Sequence, residues 1–177
     1  MAFDRTRTLR GALAGAAAAA VWAAQQPLDK RVFGVESDDV ELLGRLATRG
    51  PAALPLGALM HLANGAVFGA AYANLAPSVP LPAPLRGPVA GLLEHLATWP
   101  GTAVIDRLHP AAGDMPKLWG SGRAFAQSTW RHLLFGLVLG ELERRLNPPE
   151  AELEAVDDVA ASSNGHGSPE HLVATGP

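Results

Sequence analysis

The chain contains no cysteine. That excludes disulfides, thiolate zinc sites, cysteine-ligated iron–sulfur clusters and a thiol nucleophile. Charge is scarce as well, at 18 % of residues against roughly 25 % in an ordinary soluble domain. Between Pro51 and Ile105 the only charged residues are Arg86 and Glu94. Aromatics make up 6 %, and no basic run is interleaved with them, so nucleic-acid binding has no support. Ser121, Ser128 and Thr129 stand in no Gly-x-Ser-x-Gly elbow, which leaves hydrolysis without a nucleophile motif. No residue pattern discloses a reaction, and we read the chain as non-enzymatic, with no cofactor and no metal.

What charge there is falls unevenly. Glu150, Glu152, Glu154, Asp157, Asp158 and Glu170 make the segment from Pro148 onward acidic, with no Lys or Arg, and leave the body net basic. The formal −3 of the whole chain and its mean hydropathy of +0.12 therefore describe neither part. The 148–177 segment is poor in large apolar side chains and rich in Gly, Ser and Pro, the composition of a disordered tail.

Four apolar stretches occupy the body, about 9–26, 56–76, 85–105 and 124–145. The second carries no charge and, at helical rise, is long enough for a bilayer core. The pattern predicts an all-α integral membrane four-helix bundle over 1–147, multi-pass in the plasma (inner) membrane, with the lipid bilayer as its main partner. A rival reading treats the first stretch as a secretory signal. Arg5, Arg7 and Arg10 precede the alanine run, and Val21 and Ala23 form a possible cleavage site, leaving a secreted or soluble helical bundle. An internal repeat argues for keeping that stretch. Leu9-Arg10-Gly11-x-x-Ala14-Gly15 recurs as Leu85-Arg86-Gly87-x-x-Ala90-Gly91, and His61-Leu62-x-x-Gly65-x-Val67-x-Gly69 recurs as His132-Leu133-x-x-Gly136-x-Val138-x-Gly140. Trp22 and Trp99 are each followed by an acid–base pair, Asp29-Lys30 and Asp106-Arg107. The chain thus reads as a two-helix hairpin duplicated in parallel orientation.

Between the first two stretches Ser37 is the expected N-cap of a short amphipathic helix that Gly50-Pro51 ends. Pro77 to Pro84 is a stiff connector, and Pro88 and Trp99-Pro100-Gly101 should bend the third helix. Each long helix carries a small-residue pair, Gly11/Gly15, Gly65/Gly69, Gly87/Gly91 and Gly136/Gly140. Glycines four apart share a face and allow close helix contact in lipid. Those faces also offer a route to binding another membrane protein, as an accessory or assembly subunit, or a second copy of the chain.

The polar exceptions are His61, Asn64, Glu94, His95, Arg131 and His132. A charge at mid-bilayer costs about 2.5–3.5 kcal/mol on the insertion scale, so it faces the bundle and finds a partner. Glu94 and Arg131 are the expected pair. The cluster serves either as structural cross-links or as a proton or ion site. His61 and His132, at equivalent repeat positions, resemble a ligand pair for metal or haem, but nothing in the spacing requires one. His109, His166 and His171 read as solvated groups.

These segments resemble the YagU-like inner-membrane proteins, a bacterial family linked to acid resistance. The likeness rests on Trp22-x-Ala24-x-x-Pro27-Leu28, on His61 with Val67-Phe68 and Tyr72, on Gly87-x-x-Ala90-Gly91, and on His132-Leu133 followed by Glu141 or Glu143 and Arg144-Arg145. It runs through roughly 9–147. The resemblance implies a helical membrane fold and an acid-stress setting, without a mechanism. Val21 and Gln25 stand where the family has Lys and Glu, so an ionic role for the first helix is not expected, and the family's Trp-rich fourth helix is here Leu- and Gly-rich. Basic residues at the two ends are nearly balanced. The compact cluster Arg5, Arg7 and Arg10, with Arg86 at the position equivalent to Arg10, favours cytoplasmic termini.

Overall fold

The computed structural model describes residues 4–148, so the expected disordered tail lies outside the described residues. Among these the fold is all helical: α1 (Arg5–Phe33), α2 (Asp39–Ala47), α3 (Ala53–Leu75), α4 (Ala83–Thr98), α5 (Thr102–Leu108) and α6 (Gly122–Leu146), with 3-10 turns at Ala76–Ser78 and Trp99–Gly101.

Local chemistry sets the ends. Asp4 accepts the Thr6 and Arg7 amides to start α1, and Gly34 takes the left-handed conformation (φ 65°) that closes it. Asp38, not the expected Ser37, caps α2 by accepting the Glu41 amide. Ser37 instead turns its carbonyl to Arg131. Ser121 caps α6 through the Ala124 amide. Pro100 has no amide proton to continue a helical ladder, and the 85–105 stretch breaks there into α4, a 3-10 turn and α5.

Two antiparallel pairs are built on glycine. A methyl group added to Gly15 would run into the Gly65 carbonyl, and one on Gly87 into the Gly136 carbonyl, so α1 lies against α3 and α4 against α6 at backbone distance. The pairs meet through α1 and α6, and α2 lies along α3. No comparable interface joins α3 to α4. The sequence repeat aligns Gly11 with Gly87, but the contacts align Gly15 with Gly87: Gly15 faces Gly65 and Gly69, while Gly87 faces Gly136 and Gly140. The second hairpin is therefore slipped by one helical turn relative to the sequence motif. The slip places Trp22 opposite His61 where Glu94 stands opposite His132.

The interior is made of small and polar groups. Ala14, Ala18 and Ala19 pack with Trp22, Tyr72, Phe135 and Leu139, yet the largest fully buried side chains include Arg131, His95, Gln127 and Asp29. Every buried side-chain nitrogen and oxygen among the described residues has a partner. The outside carries the leucines: Leu9 and Leu13 on α1, Leu59 and Val67 on α3, Leu93 and Leu96 on α4, and Leu137 on α6 are all exposed. Among the described residues one helix, Ala53–Ser78 including its 3-10 end, is long and apolar enough by composition to cross a membrane. Of the four expected spans it is the one with that length and composition: Pro100 breaks the 85–105 stretch so that α4 has 16 residues, and α1 and α6 are less apolar on average.

Candidate functional site

Trp22, Gln26 and Asp29 follow at spacings of four and three on α1, which puts them on one face. That face meets Arg131 of α6. The guanidinium grips both oxygens of Asp29, Nε to Oδ2 and Nη2 to Oδ1, each at 2.6 Å, a bidentate fork. Its Nη1 reaches Asp39 Oδ2 at 2.6 Å, and Nη2 also donates to the Ser37 carbonyl at 3.0 Å. Asp29 is 2 % exposed, and accepts further from Gln25 (2.6 Å) and Gln127 (2.8 Å). The Asp39 carboxylate accepts from the Trp22 indole at 3.0 Å, and its amide donates to Gln26 at 2.9 Å. One cation thus ties α1, the α1–α2 turn, α2 and α6 together.

The expected Glu94–Arg131 pair does not form. Arg131 and His132 are neighbours on a helix, so they point about 100° apart. Arg131 turns to α1 and α2, and His132 turns to Glu94 on α4, with Nε2 2.6 Å from Oε2. The first helix also has the ionic role that Val21 and Gln25 did not foretell, supplied by Asp29 one turn beyond Gln25.

His132 has a proton inventory that geometry dictates. Its Nδ1 lies 2.7 Å from the Ser128 carbonyl, and a carbonyl only accepts, so Nδ1 carries a hydrogen. Nε2 then faces a carboxylate oxygen at 2.6 Å. Two lone pairs at that distance repel, so a proton lies between them, on the imidazole or on the carboxyl. His95, 1 % exposed, is accounted for in its neutral form. Thr129 donates its only hydroxyl proton to the Phe125 carbonyl and therefore accepts from His95 Nε2 at 3.0 Å. Ser128 can then donate to His95 Nδ1 at 3.2 Å. His61 Nε2 donates to the Ala19 carbonyl at 3.1 Å. The rings gather into one group, edge-on or tilted: Trp22 is 4.6 Å from His132 and 5.5 Å from His61, and His95 is 4.8 Å from His132.

These groups surround a cavity of about 410 Å3 where α3 and α4 fail to meet. All six sequence-selected polar residues line it, with Asn64 at an exposed position. Trp22, Phe68, Trp99 and Phe135 supply aromatic wall, and Leu42 of α2 with Ile105 of α5 lines the end away from the glycine contacts. The eight glycines pack the helices together, with Gly65 also bordering the cavity, and at the start of α1 Arg7 bonds the Ala73 carbonyl (2.6 Å) and Glu143 (2.7 Å). No group of three or more His, Asp and Glu able to hold a metal occurs among the described residues.

Sequence reasoning missed Asp29, Asp39, Gln127 and Trp22. The signal was there for the α1 pair: Ala14, Ala18, Trp22, Gln26 and Asp29 continue one helical stripe from small to polar. Gln127 lies one turn before Arg131 on α6. His109 is corrected too. It is buried, donates from Nε2 to the Leu42 carbonyl at 3.0 Å and accepts the Ala111 amide on Nδ1 at 3.1 Å, latching the loop after α5 onto α2. Asp106, at the repeat position of Asp29, caps the Leu118 and Trp119 amides instead of an arginine. At the rim, burial pushes the Asp38 carboxyl up. The Lys30 ammonium at 2.7 Å and the Glu41 and Val40 amides outweigh that, and hold it below the ordinary 3.8. No protein-family model, curated protein or solved structure matches the chain.

Proposed function

We propose that the chain is a non-enzymatic membrane protein of the bacterial inner membrane. Its spans are α1, α3, the bent α4–α5 and α6, and its α3–α4 cavity responds to protons through His132 and Glu94. The observation that carries the proton reading is the 2.6 Å approach of Nε2 and Oε2, beside a bundle of fixed ion pairs. Membrane placement is supported by exposed leucines around a polar interior, the reverse of a water-soluble bundle. It is supported also by the charge-free lengths of two helices: no charged residue lies between Gly11 and Leu28 or between Ala53 and Leu75, and the charges inside α4 and α6, Glu94 and Arg131, are paired. Cleavage after Ala23 would remove Gly11, Gly15 and Trp22, the contacts of α1 with α3 and α6, which favours retention of the first helix. The glycine faces are engaged with one another inside the chain, so an accessory role would have to use the leucine surface instead. The YagU-like resemblance points to the same setting, an inner-membrane bundle active in acid.

The test uses Trp22 as a reporter, since an imidazolium 4.6 Å away quenches indole emission. With Trp99, Trp119 and Trp130 changed to Phe and the protein in lipid nanodiscs, Trp22 emission should show a pH transition. His132→Gln should abolish it and Glu94→Gln should displace its midpoint. Superimposable curves for all three proteins would refute the proton reading, and extraction of the chain from membranes by carbonate would refute the spans.

A further inference from the structure

We propose that the α3–α4 cavity binds a small organic ammonium ion in exchange for the proton shared by His132 and Glu94. This rests on the proton-holding cavity argued above and adds the class of ligand.

The charges of the wall select the sign. Arg131 is engaged by Asp29, Asp39 and Ser37, and His132 by Glu94 and the Ser128 carbonyl, so neither is free for an anion. His95 is held by hydrogen bonds of its neutral form, and His61 Nε2 is taken up by the Ala19 carbonyl. The carboxylates have capacity left. No described residue donates to Glu94 Oε1 or Asp39 Oδ1, and the two side chains are 33 % and 31 % exposed. With the shared proton in place, Asp39 and Glu94 on the wall and Asp29 behind Arg131 outweigh Arg131 and His132 by one negative charge. The uncharged wall combines aliphatic residues such as Leu42, Leu43 and Ile105 with four aromatics, Trp22, Trp99, Phe68 and Phe135, and ring faces attract desolvated cations but not anions. A cation bearing an apolar group fits both the charge and the surface, and a cavity of about 410 Å3 has room for one of single-ring size.

The exchange follows from position. An ammonium against Glu94 stabilises the ionised carboxylate and repels a proton on the adjacent imidazole. The Nε2 proton therefore leaves to solvent as the cation enters, and the total charge of the cavity is unchanged. Nδ1 keeps its hydrogen on Ser128. Around Glu94 the titratable and charged neighbours are His95 on α4, Arg131 and His132 on α6, Asp39 on α2 and His61 on α3, and only His132 touches it. Linkage makes affinity fall about tenfold for each unit by which pH is lowered, wherever the proton occupies the site.

The probe is benzyltrimethylammonium, titrated calorimetrically into the full chain in phosphatidylglycerol nanodiscs, in two buffers of different ionisation heat. Expected are binding with release of one proton, at least tenfold weaker binding for Glu94→Gln, and none for benzoate. Asn64 is exposed at the cavity, so its variants need not disturb folding: Asn64→Lys should weaken binding at least tenfold and Asn64→Asp should tighten it. Nanodiscs containing phosphatidylethanolamine separate two sources of the same chemistry. Competition there identifies a lipid headgroup as the ammonium, and no competition identifies a soluble amine. Equal binding of benzyl alcohol, binding without proton release, or indifference to the Asn64 charge would overturn the proposal. A Trp22 pH transition without cation binding would overturn it while leaving the proton reading intact.

Discussion

Arg131 can be buried only because every direction of its guanidinium is met. Removing one member leaves the rest charged and dry, and broken buried pairs cost about 3–5 kcal/mol. Asp29→Ala should therefore lose that much in a detergent or urea unfolding titration. The double change Asp29→Leu, Arg131→Met, which takes out both charges, should recover most of it. Additive losses would show that the pair does not act as a unit. At the rim Asp38 gives a pH dependence of known sign. Its folded value lies below the unfolded 3.8, so its contribution is complete above that value and is lost as pH falls through the folded one. Asp38→Asn retains a good cap but no charge. The variant's stability should follow the wild type less steeply below about pH 4, measured by acid unfolding, and parallel curves would remove the Lys30 pair as the cause. Single residues also show where sequence reading stopped. Glu94 and Arg131 were legible as exceptions in an apolar chain, but their partners were not, because one step along a helix changes the neighbour a side chain meets.

Among the elements, the glycine pairs decide how α1 and α3 or α4 and α6 sit together. Gly15→Ala points a methyl at the Gly65 carbonyl and should cost on the order of 1–3 kcal/mol as an overpacked contact. Gly101→Ala meets open space and should fall within about 0.5 kcal/mol of wild type, the usual range for surface changes. Thermal unfolding in the same detergent compares them; equal effects would mean that helix propensity, not contact, is being measured. Helix existence, the bend at Trp99-Pro100-Gly101 and the use of all four glycine pairs were readable from spacing and composition. The register was not. Gly11 and Gly87 share a sequence motif, but either glycine of a pair can occupy the crossing point, and only packing chooses between positions one turn apart.

For the molecule as a whole the question is what surrounds the leucines. Val67 and Leu137 are 71 % and 54 % exposed in the middle of α3 and α6. In water, a lysine at either place would be close to neutral. In hydrocarbon it should cost about 2.5–3.5 kcal/mol and deplete the protein from the membrane fraction, while Leu146→Lys at the end of α6 should not. Tolerance of all three would speak for a water-facing surface. Composition alone pointed to low charge and long apolar runs. What it hid is that the polar minority is the interior, since an average along the chain has no inside or outside.

The one-turn slip between the hairpins has a last consequence. Two separate identical hairpins pairing as equals would have to offer each feature twice, either two indoles or two carboxylates opposite their histidines. A covalently joined pair is released from that constraint. His61 meets an indole without a carboxylate while His132 meets both, so the two halves are not interchangeable and one of them alone carries the imidazole–carboxylate pair.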